Sequence, residues 1–164
     1  MHVIRNSQVS ELRPGEDART YCNGEKWIII FNDKNDSSTS RFAIAHELGH
    51  ILLGHEKTQV KYSKMEQFVK KPKSENQADM FALRLLCPAC VLWGIQTSSV
   101  DDIESTCRVP RKWAEIRSSR MKALYKRNAF LSNSCEERVY NNFSKYISLT
   151  NERKDTPWHS SRKE

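Results

Sequence analysis

The sequence has no long apolar run. Its longest uninterrupted apolar stretch is Trp27-Ile28-Ile29-Ile30-Phe31, far short of the roughly 20 residues that a membrane-spanning helix needs. A membrane span is therefore not expected. The first 20 residues hold charges, a proline and a glycine but lack the apolar centre of a secretory signal. Together these absences make a cytoplasmic protein the expectation. Cysteine is scarce and odd in number: Cys22, Cys87, Cys90, Cys107 and Cys135. Irregular spacing without a signal argues against a disulfide framework, and the five are read as reduced thiols. Cys87-Pro88-Ala89-Cys90 has no second such pair at zinc-ribbon spacing, so it is read as a coincidence of structure. Internal repeats and long low-complexity tracts are also missing.

What is present fits one domain, or one domain with a small appendage. The chain has 164 residues, 38% of them hydrophobic and 29% charged, enough to bury a core without staples. The net charge of +7 is unevenly spread. Residues 1–107 hold 13 Lys+Arg and 14 Asp+Glu, a net of −1; residues 108–164 hold 14 and 6, a net of +8. The last third is therefore basic and can face something anionic.

Residues Ala18 to Phe31 read as a β-hairpin around Asn23-Gly24, a dipeptide that tolerates positive φ. The apolar, β-branched run Trp27–Phe31 suits a buried strand. A helix is expected over about Arg41–Leu53, capped from Ser38–Ser40 and stopped at Gly54. Lys57–Lys73 carries Met65, Phe68 and Val69 at near-helical spacing. A second helix is expected over about Glu75–Leu86, with Ser74 as its cap and Cys87-Pro88 as its end. Shorter helices follow at Val91–Gln96 and Val100–Thr106, then a longer one over Pro110–Tyr125 with Pro110 in its first turn. A weak helix is expected near Glu136–Tyr146, and disorder from Thr150.

His46 and His50 lie four residues apart on the first of these helices, so both side chains leave one face. Two imidazoles so placed can hold one metal ion. Glu47 points to the adjacent edge of that face, where it can reach attacking water without ligating the metal. This is the His-Glu-x-x-His arrangement, with the glutamate as general base. The bland alternative is two core histidines beside a chance glutamate. It counts for less because Phe42, Ala43, Ile44, Ala45, Leu48, Ile51 and Leu52 make the helix apolar nearly all round. A buried glutamate there is costly unless it has a function or a partner.

A catalytic zinc needs a third protein ligand and one open position. The metzincin pattern fails, because Leu53 and Glu56 stand where it requires Gly and His. His55 lies past the expected helix stop and reads as a surface histidine. Glu75 and Asp79 fall at i and i+4 on one face of the second helix. One carboxylate can bind the metal, and the other can accept the free N–H of a ligand histidine. Alone, such a pair is more simply an acidic helix start, where negative charge suits the dipole. Beside an upstream His-Glu-x-x-His the metal reading is favoured. Ala78 and Ala82 are small enough to let the two helices approach closely.

Arg41-Phe42-Ala43-Ile44-Ala45-His46-Glu47-Leu48-Gly49-His50-Ile51-Leu52-Leu53 resembles the signature of the ImmA/IrrE family of metallopeptidases. Glu75-Asn76-Gln77-Ala78-Asp79-Met80-Phe81-Ala82-Leu83-Arg84-Leu85-Leu86-Cys87-Pro88 is similar to the family's second motif, with Cys87 where Met is usual. The segment from Val100 through Val109-Pro110 to Leu124 is similar to the helices that follow. The resemblance implies a gluzincin-type site: His46, His50 and Glu75 as ligands, Glu47 as base, and Asp79 behind a ligand histidine. It implies Zn²⁺, or another divalent metal such as Mn²⁺. It also implies a substrate, a helix-turn-helix repressor of the XRE type from a mobile element or stress regulon. The expected fold is α+β: a mainly helical zincin-like domain with a small N-terminal β-sheet and a C-terminal helical segment. Its expected parts are a peptidase core (1–96), a helix-turn-helix-like segment (97–127) and a basic C-terminal helix with a tail (128–164).

Arg111, Lys112, Arg117, Arg120, Lys122, Lys126 and Arg127 make the long helix basic. A solvated basic face is favoured over contact with nucleic acid; a grip on the substrate repressor lies between the two. Tyr62 is a candidate for a second oxyanion donor. The alternatives to a peptidase are a non-catalytic DNA- or repressor-binding regulator with a structural metal site, and a component of a toxin–antitoxin-like module.

Overall fold

The computed structural model describes residues 1–22, 24, 26–55 and 72–155. The spacing of Met65, Phe68 and Val69, the tyrosine at Tyr62 and the tail beyond Asp155 lie outside them. The chain divides into two compact units, Met1–Leu86 and Cys87–Glu164. Together they form an α+β arrangement, mainly helical, with its one small sheet at the N-terminus. Among the described residues no helix is long and apolar enough to cross a membrane. The five cysteines are unbridged.

The first unit starts with β1 (His2–Arg5) and the short helix α1 (Asn6–Val9), followed by β2 (Ala18–Cys22) and β3 (Trp27–Phe31). The sheet order is β1-β3-β2, with β1 parallel and β2 antiparallel to β3. The hairpin is as expected, and Gly24 adopts a φ of 92°. Cys22 pairs with Trp27, so the connection is longer than a two-residue turn. Asn23 falls outside the described residues. The sequence reading did not anticipate β1: only Val3 and Ile4 are apolar, too short a stretch to show alternation. β3 supplies the order, pairing His2 with Ile28 through Arg5 with Phe31. Ile29 and Ile30 are both buried. Successive strand residues point to opposite faces, so the sheet is covered on both sides at β3.

Helix α2 spans Ser37–Leu52, four residues longer at its start than expected. The cap is Asp36, not the serines. Its carboxylate accepts from the backbone N–H groups of Ser38 and Thr39 and from the Thr39 hydroxyl. The hydroxyls of Ser38 and Thr39 hold Asp36 well below the usual carboxylate range. The helix ends as expected at Gly54, which takes a φ of 64°. There the N–H of His55 reaches the His50 carbonyl at 3.0 Å and that of Gly54 reaches Ile51 at 3.3 Å. This pair of bonds is a Schellman closure. The buried residues of α2 are Ser40, Phe42, Ala45 and Gly49, while Leu52 and Leu53 are exposed. The helix is thus less enclosed than its composition implied.

Helix α3 spans Lys73–Leu86, so Ser74 lies inside its first turn and is not its cap. It packs along α2, and α2 also packs on β2 and β3. Contact with α3 is made at Gly49. A Cβ there would sit 3.1 Å from Phe81 Cδ1 and 3.2 Å from the Cα and carbonyl oxygen of Ala78. Ala78 and Ala82 are fully buried, as their small size had suggested.

The second unit holds α4 (Ala89–Gly94), α5 (Val100–Cys107), α6 (Arg111–Arg127), α7 (Ser134–Asn142) and α8 (Ser144–Asp155). Pro110 is the N-cap of α6, one position outside the helix. The single weak helix expected near Glu136–Tyr146 is two helices, and α8 continues into residues expected to be disordered. Polar anchors explain the order. Asn151 Nδ2 donates to the Gly94 carbonyl at 3.0 Å and Lys154 Nζ to the Ile95 carbonyl at 2.6 Å. Both satisfy carbonyls that the end of α4 leaves open.

The Gly49 contact yields a prediction. Gly49→Leu forces the two helices apart and destabilises the first unit by about 1–3 kcal/mol. Urea unfolding should show a lower midpoint at unchanged slope. An unchanged midpoint would mean that the helices do not depend on this approach.

Candidate metal centre

Three donors converge where α2 and α3 face each other. His46 Nε2 and His50 Nε2 lie 3.0 Å apart. Glu75 places Oε2 at 3.4 Å from His46 Nε2 and Oε1 at 3.2 Å from His50 Nε2. All three groups can offer one ligand atom within 4.8 Å of the others. Tetrahedral zinc with bonds near 2.0–2.1 Å has ligand–ligand edges of about 3.3 Å. The 3.0 Å between the imidazole nitrogens, and the 3.4 and 3.2 Å from each to its own carboxylate oxygen, lie close to that value, and two imidazoles with a carboxylate form a donor set that zinc accepts. The residues therefore fit a divalent ion, and the histidine pair and Glu75 are brought together as the sequence suggested.

Asp79 stands behind His46, its Oδ1 2.9 Å from His46 Nδ1. A carboxylate only accepts, so the proton sits on Nδ1 and the Nε2 lone pair faces the cluster. That lone pair looks at a carboxylate and a second imidazole nitrogen, an arrangement that calls for a positive charge. The effect on His46 is direct. Burial disfavours its charged form, but the bonds to Asp79 and Glu75 outweigh burial and push its pKa up to about 9. Glu75 is held well below the usual carboxylate range by His46 and His50. A proton on His46 thus occupies the electrostatic role of the cation.

Glu47 is not among the three clustered groups. Its Oε2 accepts a hydrogen bond from the Thr20 hydroxyl of β2 at 2.5 Å. Two residues here escaped the sequence reading. Thr20 is 27 positions from Glu47, and no local pattern links them. The sequence places His55 at the surface, past the helix stop; in the structure its Nδ1 lies 3.1 Å from His50 Nδ1. The Schellman closure accounts for this, since it folds His55 back over the last turn of α2. The signal was available in Gly54, which was read only as a stop. With Nε2 of His50 turned to the cluster, its Nδ1–H is free to donate to His55. Each histidine of the pair therefore has its own orienting partner.

The cations of the basic helix α6 are not equivalent. Arg117 is buried. Arg111 contacts Asp101 at 2.7 Å, Glu104 at 3.1 Å and Glu115 at 3.7 Å, and Lys112 lies over the Trp113 ring. Arg120, Lys122, Lys126 and Arg127 are exposed.

A family model described as the IrrE N-terminal-like domain, Peptidase_M78, matches residues 2–119. That range takes in the sheet, α2, α3 and the start of α6. No curated protein matches the chain.

Asp79 gives the second prediction. Asp79→Asn should lower affinity for Zn²⁺ by about 10–100-fold, since outer partners of ligand histidines contribute that much. Competition against a chromophoric chelator measures it. Unaltered affinity would remove Asp79 from the site.

Proposed function

The chain belongs to the IrrE N-terminal-like peptidase family, and from that membership and the geometry of the cluster we propose that it is a zinc-dependent endopeptidase. The observation that carries the reading is the closure of His46, His50 and Glu75 to ligand spacing, with Glu47 beside them in sequence but outside the ligand set. We assign His46, His50 and Glu75 as the ligands and Glu47 as the general base. When bound by these three residues, a divalent ion would supply Lewis acidity toward water and toward the scissile carbonyl. Glu47 carries the proton. Its Oε2 is engaged by Thr20, which leaves Oε1 to accept a proton from attacking water and return it to the departing amide nitrogen. Asp79 and His55 keep the two imidazoles turned toward the ion.

The substrate we propose is a helix-turn-helix transcriptional repressor, cleaved in the cytoplasm to derepress its genes. Support comes from the family and from the sheet. β2 is an edge strand among the described residues and carries the residue that touches Glu47. An edge strand can pair with an extended peptide through its main chain. A segment of the repressor that can be drawn into extended form would suit such an edge.

The test uses Glu47→Gln and a repressor encoded next to this chain. The variant should bind one equivalent of Zn²⁺ like the parent, while cleavage falls about 10²–10⁴-fold, the usual worth of a general base. Mass spectrometry of the products, with and without a chelator, locates the bond. Full cleavage by the variant would refute the base. Salt-sensitive binding to duplex DNA with no cleavage and no bound metal would favour a non-catalytic regulator.

A further inference from the structure

The base is held from outside its own helix. Thr20 and Glu47 are both half-buried, and the hydroxyl donates to Oε2 at 2.5 Å. Bonds from a hydroxyl to an ionised carboxylate run at about 2.5–2.7 Å and are stronger than neutral ones. A glutamate has several side-chain torsions and loses much freedom when ordered, so a single strong anchor matters more for it than for a shorter acid. The anchor also divides the two oxygens: one is bonded to Thr20, and the other remains for the proton.

The strand that supplies this anchor has a definite phase. The N–H of Asn32 donates to the Asp17 carbonyl at 2.8 Å. Antiparallel pairs alternate between those that exchange hydrogen bonds and those that do not. With Ala18 opposite Phe31 and Thr20 opposite Ile29, the bonded pairs are Arg19 with Ile30 and Tyr21 with Ile28. Thr20 falls at a non-bonded pair. Its main-chain N–H and C=O therefore point away from β3, toward the outer edge of β2. One residue presents its main chain to the sheet edge and its side chain to the base.

We infer that Thr20 is a positioning residue for Glu47, fixing the carboxylate with Oε1 toward the reacting atoms and tying it to the strand on which a substrate backbone registers. The inference rests on the peptidase reading above. It concerns an anchor for the base, not the metal. A Thr20 that merely completes the packing of β2 against α2 would be replaceable by valine, which has the same shape.

The experiment compares Thr20→Val, Thr20→Ser and the parent, each loaded with Zn²⁺, on a cleavable repressor or a peptide taken from it. Valine keeps the main chain and the volume, so KM should stay within about twofold. It lacks the hydroxyl, so kcat should fall about 10–100-fold, a part of the roughly 10²–10⁴-fold that general-base catalysis supplies. Serine restores the donor and should return kcat to within about threefold of the parent. Zinc affinity, measured by chelator competition, should be the same in all three. Unchanged kcat in Thr20→Val overturns the inference. So does a serine variant as slow as the valine one, or a loss of zinc affinity that parallels the loss of rate. If the parent cleaves nothing, the peptidase reading fails separately. Crystal structures then decide the anchor: a Glu47 carboxylate held in one place in both the parent and Thr20→Val would sink it.

Discussion

The site depends on how closely α2 approaches α3. A metal centre of two imidazoles and one carboxylate tolerates little slack, because its donors must stand about 3.3 Å apart. Those donors sit on two helices, so their separation is set by whatever lies between the helix axes. Here that is Gly49 against the backbone of Ala78 and the ring of Phe81. Gly49 directly precedes His50, and Ala78 directly precedes Asp79. The smallest side chains therefore sit beside the groups that have to converge. Glycine inside a helix costs roughly 0.5–1 kcal/mol relative to alanine. The cost is offset by a contact that no larger residue at position 49 allows without moving α3.

Convergence then creates an electrostatic demand. His46 is fixed in one tautomer by Asp79, and its open nitrogen faces a carboxylate and the open nitrogen of His50. Three acceptors pointing at one place are unfavourable unless something positive joins them. A proton meets the demand in part, which is why His46 holds one so strongly. A divalent ion held by His46, His50 and Glu75 would meet it in full. The geometry and the pKa shift are two expressions of one arrangement.

Much of this was legible in the sequence, and the reason is locality. His46 with His50, and Glu75 with Asp79, each lie within one helical turn, so spacing alone assigns them to common faces. The small residues at 78 and 82 likewise announced a close helix contact. What stayed hidden depends on other kinds of relation. β1 exists because β3 pairs with it, and four residues with two apolar side chains carry no pattern of their own. The cap of α2 was misplaced because Asp36, Ser38, Thr39 and Ser40 are all capable acceptors, and only geometry chooses among them. His55 was missed through a false premise, that a residue past the helix stop has left the helix face. Gly54 in its left-handed conformation returns the chain across the last turn, so the stop itself delivers the partner of His50.

The basic last third carries a different lesson, because charges counted are not charges presented. Residues 108–164 have a net charge of +8, yet its cations are not equivalent. Arg117 is buried, Arg111 is surrounded by Asp101, Glu104 and Glu115, and Lys154 caps the carbonyl of Ile95. These three serve the fold of the second unit. Among the cations of α6 only Arg117 is buried, and of the exposed ones Arg120, Lys122, Lys126 and Arg127 gather in the helix's second half. Helix-turn-helix readers of DNA place base contacts at the start of the recognition helix. In α6 that start is occupied by Arg111 in its acidic surroundings and by Trp113 beneath Lys112. The two halves of α6 therefore differ in how their cations are engaged.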